Sequence, residues 1–414
     1  MDKKAILFPI KLIMGFLIFS EILIWVGPID YHISNSLTLL VYLIIVNLAL
    51  YYGYKRGVEL AHLSSFKLSD SSLKIILIIG LIAWFRYLVM VWGNHGLSVS
   101  FSNLISSIIN PGEAYFSESD KGYNGSFIDM IVLDPFRWAA IPLGIAFWKR
   151  LSRAFRAVVL LAIFIAIASA LGVGIRKGLL DIIIIASFVF LSKNVNLLLN
   201  KSYRRRIKWI VFSAVTLFLV YFVFSIASRK GEDLLMISNY SGSVRQTYNG
   251  LPGLLTYSLS MVDSYLCQGY YALSEALEMG IRPIAPFGDS WVSMYYSEKL
   301  LGYNPMPDTY MAALEPLGID PRINWHTMYV WLANQYTFIF VPLIIYWVGY
   351  SLAATWKDAL YGKNDLVFPL LSFFLVMCFY MYANNQVFSD AAISFWIWYM
   401  LYYFLRKKSK LKNE

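Results

Sequence analysis

Ten stretches of mostly apolar residues, each long enough to cross a bilayer as a helix, dominate this chain of 414 residues. A helix needs about 20 apolar residues to cross the hydrocarbon core. With 58% hydrophobic and 14% charged residues, a soluble fold would lack the polar surface to cover its interior. We therefore expect an all-α polytopic membrane protein with a single transmembrane domain, residues 1–414. The predicted spans are 5–26, 36–54, 73–92, 127–148, 155–174, 178–193, 207–227, 328–353, 366–382 and 387–405.

Lysine and arginine residues decide the predicted orientation, because they are enriched in cytoplasmic loops. If the N-terminus is inside, every predicted inner segment is basic, and these segments hold 23 of the 35 basic residues. Both termini are then cytoplasmic. The net charge of +10 accordingly indicates contact with anionic membrane lipids, and no nucleic-acid partner is expected.

Two predicted outer segments are long enough to carry function. Residues 93–126 form a small polar loop, and residues 228–327 form a loop of about 100 residues, far longer than a connection requires. Within the larger loop, residues 251–277 are apolar enough to lie on the membrane, dip into it or span it. The sequence leaves those three arrangements open.

Twelve basic residues depart from the topology rule, and arginine is the commoner type among them. Guanidinium suits bidentate contact with phosphate oxygens, so these side chains are candidate ligands of a phosphate group. For Arg137 the alternative is a buried pair with Asp134 on the same helical face. For Arg86 the alternative is a side chain that reaches the lipid headgroups. The candidate binding residues are Arg86, Arg137, Arg229, Lys230, Arg245, Arg282 and Arg322.

Arg176 and Lys177 occupy a short turn, Gly172–Gly178, between two strongly apolar helices. The glycines let the backbone approach a ligand, and the next helix begins with its positive dipole end at this turn. Two cations and free amides together predict an anion site at the membrane surface. Binding of a lipid headgroup is the alternative.

His326 lies where the long loop re-enters the membrane, between Trp325 and Tyr329. Histidine titrates near neutrality and accepts a proton from a hydroxyl group, whereas the two aromatic side chains could stack on sugar faces. An ordinary structural role is the alternative for His326, and Asp30 in the first outer loop is a rival base. The sequence shows no metal-type cluster and no nucleotide-binding loop, so we expect metal-independent chemistry without a cofactor.

Gly174–Asp181 (GIRKGLLD) and the segment from His326 to Tyr329 resemble motifs of the O-antigen polymerase (Wzy) family and of the related O-antigen ligases. Thr327 stands where the ligase segment has asparagine. The arrangement of spans, inner termini, large late loop and outer arginines is also similar to that family. The resemblance implies a GT-C-like bundle of about ten helices in the bacterial inner membrane, with a long helical periplasmic loop.

The resemblance also implies a reaction. An oligosaccharide repeat unit joined through diphosphate to undecaprenol would be polymerised at the periplasmic face, with a chain-length-regulating co-polymerase as possible partner. Arg176 and Lys177 would hold the departing diphosphate without a metal, and His326 would activate the acceptor hydroxyl. Two alternatives remain: an O-antigen ligase or other membrane glycosyltransferase that uses the same donor, and a flippase or exporter of lipid-linked oligosaccharide.

Overall fold

The computed structural model is mostly helical, at 79%. It describes residues 2–94, 96–110, 129–173, 177–195, 243–245, 253–321, 324–405, 407 and 408, with isolated positions between 202 and 224. In that part of the chain, five helices are long and apolar enough to cross a membrane. The prediction of a helical transmembrane protein is thus confirmed, and the count of ten spans stays a prediction.

The helices of the described residues follow most of the predicted spans, and short strands connect their ends. A π-helical turn, Asp129–Leu133, directly precedes the helix that begins at Asp134. The helices are α1 Lys3–Ile6, α2 Phe8–Val26, α3 Ser36–Leu60, α4 Asp70–Asn94, α5 Phe101–Ile109, α6 Asp134–Ala146, α7 Arg153–Gly172, α8 Lys177–Lys193, α9 Gly253–Glu278, α10 Trp291–Leu301, α11 Tyr310–Leu314, α12 Met328–Tyr361, α13 Val367–Phe379 and α14 Gln386–Leu405, and the strands are β1 Ile29–Asp30, β2 Ser64–Phe66, β3 Ser243–Val244, β4 Lys363–Asn364 and β5 Lys407–Lys408.

Side-chain caps explain where several of these helices begin. The first N–H groups of a helix have no partner within it, and a serine or threonine hydroxyl just before the helix accepts from one of them. Ser152 caps α7, Ser290 caps α10 and Thr327 caps α12 in this way. Two of these caps, Ser290 and Thr327, fix helix starts in the segment that the sequence predicts to be the long outer loop and its return.

Helices α3 and α12 form the tightest packing in the bundle. Gly53 and Gly57 of α3 lie against the backbone carbonyls of Tyr346 and Tyr350, and Gly349 of α12 lies against α3 in turn. Glycines four residues apart let two membrane helices approach closely, because nothing projects between their backbones. This contact sets the position of α12, on which much of the candidate site described below depends.

The connections between helices collect at two ends of the bundle. At one end, β2 pairs with β4 in parallel and with β5 antiparallel, and Arg150 bridges Asp70 at 2.6 Å and Asp365 at 3.3 Å. We call this the basic end. At the opposite end, β1 pairs antiparallel with β3. Each of these contacts joins segments that the sequence assigns to the same side of the membrane.

The apolar segment of the long loop forms a continuous helix, α9, of 26 residues. Its middle packs beside α2, where the Cys267 thiol donates to the Ser20 carbonyl at 3.4 Å and the hydroxyls of Ser20 and Tyr270 are 2.9 Å apart. Further along, the Ser274 carbonyl accepts a hydrogen bond from the Asn35 side chain at 2.7 Å. Helix α9 therefore packs within the bundle against the second half of α2, and is not a separate surface helix.

The glycine contact between α3 and α12 gives a test of the packing. Replacing Gly53 with alanine places a methyl group against a fixed backbone carbonyl, so we expect a loss of about 1–3 kcal/mol and a lower melting temperature in detergent. Gly15 in α2 is the matched control, since nothing lies within 4 Å of an added methyl group. There alanine should be neutral or stabilising by about 0.5–1 kcal/mol, as in other helix interiors. Equal melting temperatures for the two variants would contradict the close packing.

Candidate functional site

A groove of about 680 Å³ opens at the end of the bundle opposite to the basic end. Helices α10, α12 and α14 form its walls. Near the loops it is lined by Asp289, Ser293 and Gln335, and further into the bundle by apolar side chains such as Ile344 and Trp347. The groove is thus polar at one end and apolar at the other. A pocket with mostly apolar walls and a few placed polar groups is the usual form of a small-molecule site.

The backbone is irregular at three places around this groove. Phe287, which lines it, has a φ of 65°, and Thr337 interrupts α12 with a φ of 56° and a ψ of 156°. Ala391 interrupts α14 just before Ala392, another lining residue. Positive φ at non-glycine residues such as Phe287 and Thr337 is strained backbone, which clusters at functional sites.

The break in α12 has an identifiable cause and a compensating contact. Pro342 has no N–H, so the Phe338 carbonyl four residues earlier loses its helical partner. The Tyr42 hydroxyl of α3 donates to that carbonyl at 3.3 Å. The discontinuity is therefore supported by a neighbouring helix, as irregular backbone within a membrane requires.

An acidic side chain, Asp289, lines the groove at its polar end. The residue is buried, and its main-chain carbonyl accepts a hydrogen bond from the Asn385 side chain at 3.0 Å. Burial raises the pKa of the Asp289 carboxyl above its ordinary value, although a hydrogen bond from Ser293 opposes this change. Among the described residues, no lysine, arginine or histidine forms an ion pair with it.

A network of charged side chains lies behind the groove wall formed by α14. The Lys177 ammonium group, at the start of α8, is 2.8 Å from Asp181 on the same helix and 2.6 Å from Asp390 on α14. Asp390 stands between Phe388 and Ala392, which both line the groove. Lys177 thereby fixes the position of α14 at the point where that helix is interrupted.

Two further ion pairs extend the network across α4 and α6. Arg137 pairs with Asp134 at 2.9 Å and is stacked on the Tyr87 ring at 3.9 Å, and the side chain is buried. Arg86 pairs with Asp129 at 2.7 Å and is largely exposed. The self-contained Asp134–Arg137 pair that the sequence offered as an alternative is therefore present.

These contacts make the predicted cluster of cations less positive than the sequence indicates. Of the predicted binding residues, the structure brings together Arg86, Arg137 and Lys177, but each of them faces at least one carboxylate. Four aspartates accompany these three cations: Asp129, Asp134, Asp181 and Asp390. Within the described part of the chain, this network is close to neutral and not a purely cationic pocket.

His326 is fully buried, beside the loop that connects α13 to α14. Its Nδ1 is 3.2 Å from the Asn324 carbonyl, and Nε2 has no hydrogen-bond partner among the described residues. Its backbone N–H donates to the Asn384 side chain at 2.9 Å, and its carbonyl accepts from the Asn384 N–H. Burial lowers the pKa of His326 to about 4, so the ring is neutral at pH 7. His326 does not line the groove, although Met328, two residues later, does.

One connection joins the surroundings of His326 to the charged network. The loop 380–385 contacts Lys177 through Tyr380, whose ring lies 5.5 Å from the ammonium group, and contacts His326 through Asn384. Between these two residues, the Tyr382 ring stacks near that of Tyr380 at 6.2 Å. The predicted base and Lys177 are therefore neighbours of one loop, and neither of them is among the residues that line the groove.

Other predicted site residues lie apart from the groove lining. The Arg245 guanidinium donates to the carbonyls of Ile24 and Ile29, and it is 3.6 Å from Asp30, the rival base, at the β1–β3 ribbon. Arg282 donates its backbone N–H to the Tyr310 hydroxyl. Trp325 packs edge-on against Tyr265, and Tyr329 is buried and edge-on to Tyr42. The predicted residues Arg176, Arg229, Lys230 and Arg322 fall outside the residues that the structure describes.

Sequence reasoning missed the acidic members of the site. Asp181 follows Lys177 by four residues, a spacing that pairs side chains on one helix, so this partner was readable. Asp390 lies within a predicted span, where an ionisable residue is itself a functional signal. Asp289 carried no such signal, because only the packing of α10 against α14 makes its surroundings a groove.

The described residues hold no group of three histidine, cysteine, aspartate or glutamate side chains that could bind a metal ion. Comparisons of the chain with protein-family models, with characterised proteins and with solved structures give no match. The fold alone defines the class: a helical membrane protein.

The Lys177 network gives a second test. Replacing Lys177 with methionine leaves Asp181 and Asp390 close together without their cation, and breaking such a buried pair costs about 3–5 kcal/mol. We expect a clear fall in melting temperature, and partial recovery when Asp181 is also replaced with asparagine. The exposed Lys55, replaced with methionine, is the control and should have no effect. If Lys177→Met melts like Lys55→Met, the network does not stabilise the fold.

Proposed function

We propose that this protein is a membrane glycosyltransferase that polymerises undecaprenyl-diphosphate-linked oligosaccharide repeat units at the periplasmic face of the bacterial inner membrane. The observation that carries the proposal is the groove between interrupted helices, polar near Asp289 and apolar near Trp347. An amphiphilic substrate, with sugars at one end and a long hydrocarbon chain at the other, matches that gradient. The groove opens at the end of the bundle that the charge pattern assigns to the outside.

Arg176 is the residue proposed to contact the departing diphosphate. Lys177, its neighbour in the chain, is already engaged by Asp181 and Asp390, and Arg86 and Arg137 have carboxylate partners of their own. In this arrangement Lys177 holds the start of α8 against α14, next to the groove. Preorganised cationic groups stabilise a leaving group that gains negative charge in the transition state.

Neither Asp30 nor His326, the two candidate bases for the acceptor hydroxyl, lines the groove. Asp30 belongs to the β1–β3 ribbon with Arg245, and His326 is enclosed. His326 does hold the loop that carries Asn384 and Asn385, and Asn385 in turn bonds to Asp289. Its proposed contribution is therefore to the position of the groove wall.

A transport function is the second candidate, and one observation favours it. The charged network contains four carboxylates and three cations, and chains of ionisable groups within membranes are common in proton-coupled transporters. A flippase or exporter of lipid-linked oligosaccharide would move its substrate without forming a glycosidic bond. An O-antigen ligase would form one bond and then stop.

The experiment that tests the proposal follows product length. Purified protein in lipid vesicles is given the lipid-linked repeat units of its host, and the products are separated on a gel. Polymerisation gives a ladder of chain lengths, a ligase adds to a different acceptor and gives no ladder, and a transporter changes only the side of the membrane on which the substrate lies. The co-polymerase implied by the resemblance would alter the length distribution and not the presence of the ladder.

Replacing Arg176 with alanine should abolish that ladder or reduce it at least 100-fold, the effect of removing one group that stabilises transition-state charge. Lysine at this position should restore part of the activity. Arg56, which is exposed and pairs with Glu59, is the matched control and should tolerate alanine. A normal ladder from stably inserted Arg176→Ala protein would overturn the assignment of Arg176.

A further inference from the structure

The groove contains a carboxylate that the resemblance does not assign. We propose that Asp289 is the general base that accepts the proton of the acceptor sugar hydroxyl, and that the polar end of the groove binds that sugar. This inference rests on the proposed function. It is carried by the position of Asp289 in a cavity, its burial, and the chemistry of the side chains around it.

The position of Asp289 distinguishes it from other acidic residues at this end of the bundle. Asp390 and Asp181 are both held by Lys177, so each already has a cationic partner. Asp30 is partly exposed and faces Arg245. Asp289 lines the groove, is buried, and in the described part of the chain forms no ion pair. It is therefore able to accept a hydrogen bond from a bound molecule.

The surroundings of Asp289 favour a hydroxyl-bearing ligand over a phosphate. A buried carboxylate without a cation repels a diphosphate, whereas a hydroxyl group donates to it. Ser293 and Gln335 add hydrogen-bonding groups, and the rings of Tyr296 and Tyr336 add flat apolar surface. Such a combination of aromatic walls and a few polar groups fits a saccharide, since a sugar has apolar faces and hydroxylated edges.

The direction of the pKa change at Asp289 is also the one expected for a general base. A base works best when its pKa approaches the working pH, and burial raises the pKa of Asp289 in that direction. The other titratable residues that line the groove are Tyr296 on α10 and Tyr336 on α12, and both are uncharged at neutral pH. His326, by contrast, is enclosed and its pKa is lowered to about 4. It is thus a weaker base near neutrality than its residue type suggests.

The reaction step balances with the groups named. The acceptor hydroxyl oxygen forms a bond to the anomeric carbon of the donor sugar while its proton moves to the Asp289 carboxylate. The bond between that carbon and the diphosphate oxygen breaks, and the electron pair leaves with undecaprenyl diphosphate. Asp289 then releases the proton to water or to the diphosphate. No metal, oxidant or reductant is required.

The test compares Asp289→Asn with Asp308→Asn, an exposed acidic residue of the same loop region. We expect Asp289→Asn to lose at least about 100-fold of the polymerisation rate, in the range for removal of a general base, while the lipid-linked donor still binds. Asp308→Asn should be unaffected. Asp289→Glu should keep part of the activity. A ladder of normal intensity from Asp289→Asn would overturn the inference.

Two further readouts separate catalysis from structure. Because burial raises the pKa of Asp289, folding favours its neutral form, so the uncharged asparagine should leave the melting temperature equal or higher. The wild-type rate should fall on the acid side as this carboxyl is protonated. Asp289→Asn should lack that dependence in its residual activity. A lowered melting temperature that accounts for the lost activity would identify Asp289 as a structural residue instead.

A third variant tests the groove without changing Asp289. Val292, one of the lining residues, replaced with tryptophan would obstruct the groove and should abolish the ladder. Normal polymer from that variant would show that the acceptor binds elsewhere. The controls keep the two proposals apart: a wild-type protein that makes no polymer refutes the proposed function, whereas an active wild type with an active Asp289→Asn variant refutes only the role of Asp289.

Discussion

Hydrocarbon offers no partner to a backbone N–H or C=O group, and this constraint determines where the helices of the protein are able to break. The interruptions at Thr337 and Ala391 leave backbone groups outside the regular helical pattern. For the first of them, Tyr42 of the neighbouring helix supplies a hydrogen bond. That supply depends on the close approach of α3 and α12, which in turn depends on glycine at positions such as Gly53. The groove exists because this packing makes an irregular helix tolerable.

Charged side chains inside the bundle likewise need a partner close by. An isolated cation in the membrane is costly, and its cost falls when a carboxylate or an aromatic face lies beside it. Arg137 has both, in Asp134 and Tyr87, and Lys177 has two aspartates. Among the described residues, Arg86, Arg137 and Lys177, which appeared misplaced in the sequence, are thus each paired with a carboxylate. Their first effect is to fix α4, α6, α8 and α14 relative to one another, and any effect on a ligand is added to that.

The sequence predicted the helical membrane fold, because long apolar stretches predict helices, and it offered the Asp134–Arg137 pair as an alternative for Arg137. The Lys177–Asp181 pair has a spacing that also follows from helical periodicity, but it was not predicted. The groove was not predictable in the same way. Pro342 signals a break in a helix, but the positive φ falls at Thr337, and the wall opposite comes from residues around Asp289, about 50 positions earlier. Contacts at that separation depend on tertiary packing, which a single sequence does not reveal.

The difference between Asp289 and His326 follows from how each residue meets the solvent. Each stands two positions before the first residue of a helix, and both are buried. The cap of α12 at Thr327 turns His326 inward, toward the loop 380–385, where Asn384 binds both polar groups of its backbone. The cap of α10 at Ser290 leaves Asp289 facing the groove. A histidine at a membrane re-entry point attracts a catalytic assignment by residue type. Here the contacts of His326 are those of a structural residue, whereas Asp289 lines the groove.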